Sequence, residues 1–245
     1  MIVLIPCYNE EKNVGTVIEN IRSLAQQDVS TQLDFELDYI IINDGSIDRS
    51  RDVCKENGYR YLDLCSNLGI GGGMQAGYMY AKNGGYDIAI QHDCDGQHDH
   101  KSIPLLVSCL ISKNVDIVIG SRFINKKGFQ STGFRRLGIN FLSSLIFICF
   151  RVKVYDVTSG CRAVNRRFIE HFAGQYAQDY PEPEAIVDAS LYNAKIVEIP
   201  VTMNKRKYGE SSINIMRALY YMVKVSLSIL LYRLTMTRKG TRWSP

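Results

Sequence analysis

Short apolar runs alternate with longer periodic segments through the first half of the chain. Residues 2–5, 39–42, 59–64, 88–91 and 117–119 are mostly unbroken runs of branched and apolar side chains, the pattern of strands covered on both faces. Helical periodicity occupies about 10–26, 48–57, 71–83 and 101–113, with Asp48 and Asp99 placed as N-caps of the second and fourth segments. Repeated β-α-β units of this kind predict a mostly parallel sheet with right-handed crossovers. Such sheets bind ligands beyond the carboxyl ends of their strands.

After Arg122 the alternation stops. A polar, glycine-containing loop spans 125–133, and Arg135-Arg136 then opens an apolar helix. Residues 156–165 (DVTSGCRAVN) read as a turn and short strand, 179–184 (DYPEPE) lead into a helix, and 195–203 form a strand. The polar segment 204–212 (NKRKYGESS) precedes a C-terminal amphipathic stretch. With no repeat or linker, the expected organisation is one catalytic domain over 1–212 and a helical extension over 213–245.

Two apolar stretches bear on membranes. Residues 137–150 are uncharged but fall short of the roughly 20 residues that a spanning helix needs. Residues 213–234 are interrupted by Arg217, Lys224 and Arg233. Neither is expected to span a bilayer, and the N-terminus turns acidic too soon for a signal peptide. Apolar residues recur at Ile213, Met216, Leu219, Tyr220, Val223, Leu227, Leu230, Leu231 and Leu234, one face of a helix. That face fits either a membrane surface or the domain's own core.

Composition narrows the class. Of 245 residues, 46% are hydrophobic and 22% charged, which excludes long disorder, and a net charge of +4 gives no ground for a nucleic-acid partner. The seven cysteines include no C-x-x-C pair, the pattern of buried thiols in a reducing compartment.

The strand ends carry the chemistry. They read Pro6-Cys7-Tyr8-Asn9-Glu10-Glu11, Asn43-Asp44-Gly45-Ser46, His92-Asp93-Cys94-Asp95-Gly96-Gln97-His98 and Gly120-Ser121-Arg122, and they converge on one edge of the expected sheet. In extended backbone Asp93 and Asp95 share a face, so both carboxylates reach one point. A hard divalent cation completed by a diphosphate suits them, with Gln97 adding a carbonyl oxygen; a solvated acidic turn is the alternative. Asp44 is placed either to accept from a base or ribose or to help cap a helix. Gly71-Gly72-Gly73-Met74-Gln75-Ala76 matches a dinucleotide fingerprint, yet it follows the third strand, which favours close helix packing. Arg122, Arg135, Arg136, Arg162, Lys205, Arg206 and Lys207 supply cations, and guanidinium forks suit phosphates on donor and acceptor. Glu184 and Asp188, one helical turn apart, offer a general base or helix-start charge. His92, His98 and His100 surround the acidic turn, but hydrolytic zinc wants three committed protein ligands.

In this order the motifs resemble the family 2 glycosyltransferases of GT-A fold, and among them the polyprenyl-phosphate sugar transferases typified by dolichol-phosphate mannose synthase. The resemblance runs from Ile2 to about Ser212 and includes Thr158-Ser159-Gly160-x-Arg162 and Arg206-x-x-Gly209-x-Ser211. It implies a Rossmann-like, mostly parallel central sheet flanked by helices, with C-terminal amphipathic helices. It further implies that Pro6, Tyr8, Glu10 and Asp44 hold the nucleotide, and that Asp93, Asp95 and Gln97 hold Mg²⁺ or Mn²⁺. Arg122, Arg135, Arg206 and the Ser211 loop would bind donor or lipid phosphates, and Glu184 would match a late glutamate. Transfer from a UDP- or GDP-sugar to undecaprenyl or dolichyl phosphate, with inversion, is the implied reaction. Asn43 stands where the family often has an aspartate, 181–184 departs from the typical synthase, and the C-terminal spanning helices of many bacterial relatives are missing.

A phosphate acceptor also fits the residue types. A phosphate monoester is largely ionised near neutral pH and needs positioning and charge neutralisation, not a strong base. A sugar-hydroxyl acceptor, extending a glycan, would require Glu184 or Asp188 as a base. A nicotinamide oxidoreductase would need a glycine fingerprint after the first strand, where residues 6–11 hold none, and intact Asp93, Asp95 and Arg122 speak against a non-catalytic scaffold. The expected location is cytoplasmic, peripheral at the cytoplasmic membrane face, with room for a small membrane protein partner.

Overall fold

The computed structural model describes residues 1–26, 36–125, 128, 130, 133–204 and 215–239. Its elements run β1 (Ile2–Cys7), α1 (Val14–Gln26), β2 (Asp38–Asn43), α2 (Ser50–Glu56), β3 (Tyr61–Asp63), α3 (Gly69–Asn83), β4 (Ile88–Gln91), α4 (Ser102–Ser112), β5 (Ile117–Ser121), α5 (Gly133–Phe150), β6 (Arg162–Asn165), α6 (Arg166–Gly174), α7 (Pro181–Leu191), β7 (Ile196–Pro200) and α8 (Ile215–Lys239). The strands join in one sheet of order β3-β2-β1-β4-β6-β5-β7.

Alternation along β1 explains the layers. Ile2 and Leu4 point to one face, where Met74 and Tyr78 of α3, Phe168 and Phe172 of α6, and residues of α5, α7 and α8 cover them. Val3, Ile5 and Cys7 point to the other, against Val14, Ile18 and Ile21 of α1 and Ile103, Leu106 and Leu110 of α4. Two buried faces require strands apolar at every position, and all six residues of β1 are buried. Each such aliphatic side chain contributes about 1.5–3 kcal/mol by leaving water.

β1 pairs in parallel with β2 and β4, and β5 with β7, while β6 runs antiparallel between β4 and β5. This reversal brings the start of β6 beside the ends of its neighbours: Arg162 is paired with both Gln91 and Ile119. The turn before β6 therefore joins the same edge as the carboxyl ends of the parallel strands.

The helix starts differ slightly from expectation. The N-cap positions are Arg49 and Lys101, which make no side-chain cap bond. Asp48 and Asp99 act from just outside, accepting the N–H of Ser50 (2.9 Å) and of Lys101 (3.0 Å). All seven cysteines are free thiols, five of them buried.

Candidate active site

The ends of β1 and β2 are laced together. Asn9 adopts a left-handed backbone (φ 57°), which turns its side chain to accept the N–H of Ile47 (2.9 Å) while Ser46 Oγ accepts the N–H of Asn9 (3.1 Å). Ser50 Oγ accepts from Glu10 N (2.8 Å), and Glu10 in turn accepts from Asn13 Nδ2 (2.6 Å). Pro6, Glu10 and Asp44 are buried, and Tyr8 is 45% exposed, its ring lying open at the mouth of this edge. Asp44 accepts the N–H of Leu68 at 2.7 Å; burial raises its carboxyl above the ordinary value, and the N–H groups of Leu68 and Gly69 partly offset that.

The glycines of α3 serve packing, as the sequence implied. A Cβ on Gly71 would lie 2.2 Å from the carbonyl oxygens of Ala177 and Gln178, and one on Gly73 would touch Asp44 at 3.8 Å. Only glycine lets this helix lie so close to the backbone of Ala177 and Gln178.

Beyond β4 the acidic turn closes on itself. Gly96 takes a left-handed conformation (φ 72°) and Asp95 Oδ1 accepts the N–H of Gln97 at 2.9 Å. Asp93 receives Gln91 Nε2 at 3.2 Å and lies against Gly160, where a Cβ would stand 2.7 Å from Asp93 Oδ2. The far end of the turn is tied to other loops: Gln97 O accepts from Asn204 N (2.8 Å), and Met203 bridges to both His98 and Gly128. Among the described residues no three His, Cys, Asp or Glu side chains group closely enough to hold a metal ion. Asp93, Asp95 and Gln97 of this turn carry hard oxygen donors, the ligand type that Mg²⁺ and Mn²⁺ take.

At the end of β5, Arg122 is buried and committed. Its Nε donates to Asp156 Oδ2 (2.7 Å), its Nη2 to Asp156 Oδ1 (2.5 Å) and to Thr158 Oγ1 (2.9 Å). Burial works against its charge, but Asp156 more than offsets this and the guanidinium holds its proton more tightly than usual. Asp156 is itself placed by Glu198 of β7, which accepts the N–H groups of Tyr155 (2.7 Å) and Asp156 (2.8 Å). Arg162, also buried, donates to the carbonyls of Ser159 and Glu182, both at 2.8 Å.

Of the late carboxylates, Glu182 is the one that feels the charge of Asp93. Burial raises the Glu182 carboxyl, Arg162 lowers it and the charge of Asp93 raises it again, so Glu182 lies in the field of the acidic turn. Glu184 turns instead to Ser228 of α8, where burial raises it. Asp188 is paired with His171 at 2.6 Å. Arg135, in the first turn of α5, is solvent-exposed as a residue; crowding of its guanidinium and then repulsion from Arg122 lower its hold on the proton, with Tyr221, Asp156 and Glu182 opposing. Arg136 stacks over the Phe123 ring at 3.3 Å. Arg206 and Ser211 lie outside the described residues.

Sequence reasoning missed Asp156, Glu182 and Glu198. Asp156 meets Arg122 across 34 positions of chain, which no local pattern reports. Glu182 sits in the segment singled out as unusual, two residues before Glu184.

Comparison with known proteins completes the picture. The family described as Glycosyl transferase family 2 matches residues 2–173. The chain is 28% identical over 227 residues to a UDP-N-acetylglucosamine–dolichyl-phosphate N-acetylglucosaminyltransferase of Methanococcus voltae, covering 84% of this chain and 86% of that one. It is 23% identical over 223 residues to a polyprenol monophosphomannose synthase of Mycolicibacterium smegmatis, covering 87% and 80%. Its fold resembles that of glucosyl-3-phosphoglycerate synthase from Mycobacterium tuberculosis, solved with Mn²⁺, UDP and phosphoglyceric acid (TM-score 0.67, 19% identity, 95% of this chain and 77% of that one). With its sheet order, its acidic turn and this match over most of its length, the chain belongs to glycosyl transferase family 2 and has the GT-A fold.

Proposed function

We propose that this glycosyltransferase moves a sugar from a UDP- or GDP-sugar to a polyprenyl phosphate, undecaprenyl or dolichyl, with inversion and with Mg²⁺ or Mn²⁺. A phosphate oxygen of the acceptor attacks the anomeric carbon, the bond from that carbon to the donor diphosphate breaks, and the nucleoside diphosphate leaves. Pro6, Tyr8, Glu10 and Asp44 bind base and ribose. Asp93, Asp95 and Gln97 would hold the cation, which when bound neutralises charge on the leaving diphosphate. The metal complexes of the mycobacterial synthase support this use of the turn by analogy of fold.

The observation that carries the acceptor is the charge balance around Arg135. Arg122 is matched by Asp156, and Arg162 is engaged by carbonyls. Arg135 stands near Arg122 at the start of α5, where the helix terminus adds positive potential. Such a seat favours an anion, and a phosphate monoester supplies both the charge and the nucleophile. Arg206 and Ser211 join this phosphate set in the reading carried over from the family. The relatives named for dolichyl-phosphate and polyprenol substrates point the same way.

Residues 1–212 form the catalytic unit, and α8 within 213–245 serves as its membrane-facing extension. Among the described residues no helix is long and apolar enough to cross a membrane. Tyr220, Val223, Leu227, Leu230, Leu231 and Leu234 of α8 are nevertheless exposed, as are Leu137, Phe141 and Ile148 of α5. These surfaces suit peripheral binding at the cytoplasmic face, directly or with a small membrane protein.

One observation favours a second reading. Glu182, whose carboxyl is raised by burial and further by the charge of Asp93, has the character of a general base for a sugar-hydroxyl acceptor. A donor screen with polyprenyl phosphate separates the two: we expect release of nucleoside diphosphate and a mild-acid-labile glycosyl lipid, with Glu184→Gln retaining appreciable activity. Turnover only with a sugar hydroxyl, abolished in Glu182→Gln, would establish the second reading instead.

A further inference from the structure

We propose, building on the reading of a phosphate acceptor drawn to Arg135, that Tyr221 of α8 binds that acceptor by donating a hydrogen bond from its phenol hydroxyl to the lipid's phosphate. One face of α8 is docked on the start of α7. Tyr221, Lys224 and Ser228 follow one another at helical spacing and meet three residues there. The Tyr221 ring stands edge-on to Tyr180, with centroids 4.6 Å apart and planes at 87°. Lys224 pairs with Asp179, and the Ser228 hydroxyl donates to Glu184. Val225 and Ile229, on the inner side of the same helix, are fully buried. The adjacent Met222 reaches α5, where a Cβ on Gly138 would lie 2.9 Å from its Sδ. Arg135 is one turn earlier on α5.

From Tyr180 the contacts continue inward. Tyr180 is the N-cap of α7, and two residues on, the Glu182 carbonyl accepts from Arg162 Nη2 at 2.8 Å. Arg162 Nε also donates to the carbonyl of Ser159, beside the glycine that lies against Asp93. Tyr221 therefore stands beside the starts of α5 and α7, and the charges of Glu182, Arg135 and Arg162 all act on its phenol. Burial and then Glu182 raise the phenol above its ordinary value, with the two arginines opposing, so at neutral pH it keeps its proton and offers a donor. Among the described residues its hydroxyl has no hydrogen-bond partner. A tyrosine hydroxyl taken out of bulk water ordinarily has one. An anion drawn by Arg135 supplies the missing acceptor: the guanidinium provides charge, the phenol provides direction, and a phosphate has oxygens enough to accept from both and still attack. The helix whose outer side is proposed to lie on the membrane thus carries, on its inner side, a ligand for the phosphate of a membrane lipid.

Tyr221→Phe removes the hydroxyl and keeps the ring against Tyr180. Initial rates are measured on the full chain with a UDP- or GDP-sugar and farnesyl phosphate, a short prenyl phosphate that needs no membrane. Inorganic phosphate is added as a competitor, and melting temperature reports folding. We expect the KM for farnesyl phosphate and the inhibition constant of inorganic phosphate both to rise about tenfold, with the donor KM within about twofold of wild type and the melting temperature unchanged. An unchanged KM for farnesyl phosphate, equal rises in donor and acceptor KM, or a variant that no longer folds overturns the role of Tyr221 while leaving the phosphate acceptor intact. Failure of the wild type to glycosylate any prenyl phosphate, while it glycosylates a sugar hydroxyl, overturns the acceptor reading and the role of Tyr221 together.

Discussion

Position 160 shows how closely the site is built at the scale of single residues. A methyl group there would lie 2.7 Å from Asp93 Oδ2 and 3.0 Å from both Asp93 Oδ1 and Gln91 Nε2. Gly160→Ala must displace the carboxylate, so we expect turnover to fall about 10–100-fold with little change in melting temperature; wild-type kinetics in a folded variant would contradict this placement. Asp95→Asn should be harsher, costing orders of magnitude in turnover, and excess EDTA should abolish activity of the wild type. Asp44, Asp93 and Arg122 lie just beyond β2, β4 and β5, a placement legible in the sequence because apolar runs mark strand ends. The partners Asp156 and Glu198 were not, since only the folded sheet brings β7 and the turn before β6 beside Arg122.

At the scale of elements, α7 and α8 carry the proposed acceptor side. Successive residues of an α-helix turn by about 100°, so Glu182 and Glu184, two apart, face nearly opposite directions. Strand-end logic gives no such phase for a helix whose start is set by Pro181. Glu184 meets Ser228, and its replacement by glutamine should leave most activity in place. The apolar stripe of α8 was legible as periodicity, but its direction was not: Val225 and Ile229 fill the core while Leu227 (56%) and Leu230 (43%) remain exposed. Between Tyr220 and Leu234 the helix is apolar on both sides, and among the described residues the inner side is the one packed into the core. Replacing Leu227 and Leu230 with glutamate should therefore leave the melting temperature nearly unchanged, since exposed substitutions rarely exceed about 0.5 kcal/mol. It should abolish sedimentation with anionic liposomes. Unfolding of this variant, or unchanged liposome binding, would contradict an outward membrane face.

For the whole molecule, two helical layers follow from strands that are apolar at every position, and the mostly parallel sheet was anticipated. The reversed β6 was not, because a four-residue strand carries no mark of its direction. The packed layer between α3 and α6 also sets an alkaline limit on stability. Tyr78 is fully buried against Phe172 and Tyr176, and burial pushes its phenol from 10.0 up to about 12. Between these values the unfolded chain releases the proton and the folded chain keeps it, so stability present below pH 10 falls as pH rises. The loss reaches roughly 2 kcal/mol at pH 12, and urea titrations should show a shallower decline in Tyr78→Phe. The reaction itself is tested most directly by the bond that forms. Wild-type enzyme incubated with a nucleotide sugar and polyprenyl phosphate should convert the lipid's phosphate from monoester to diester, read by phosphorus NMR, with one nucleoside diphosphate released per sugar transferred. A phosphorus spectrum that stays that of the monoester, while sugar is transferred to a hydroxyl acceptor, would contradict the proposed function.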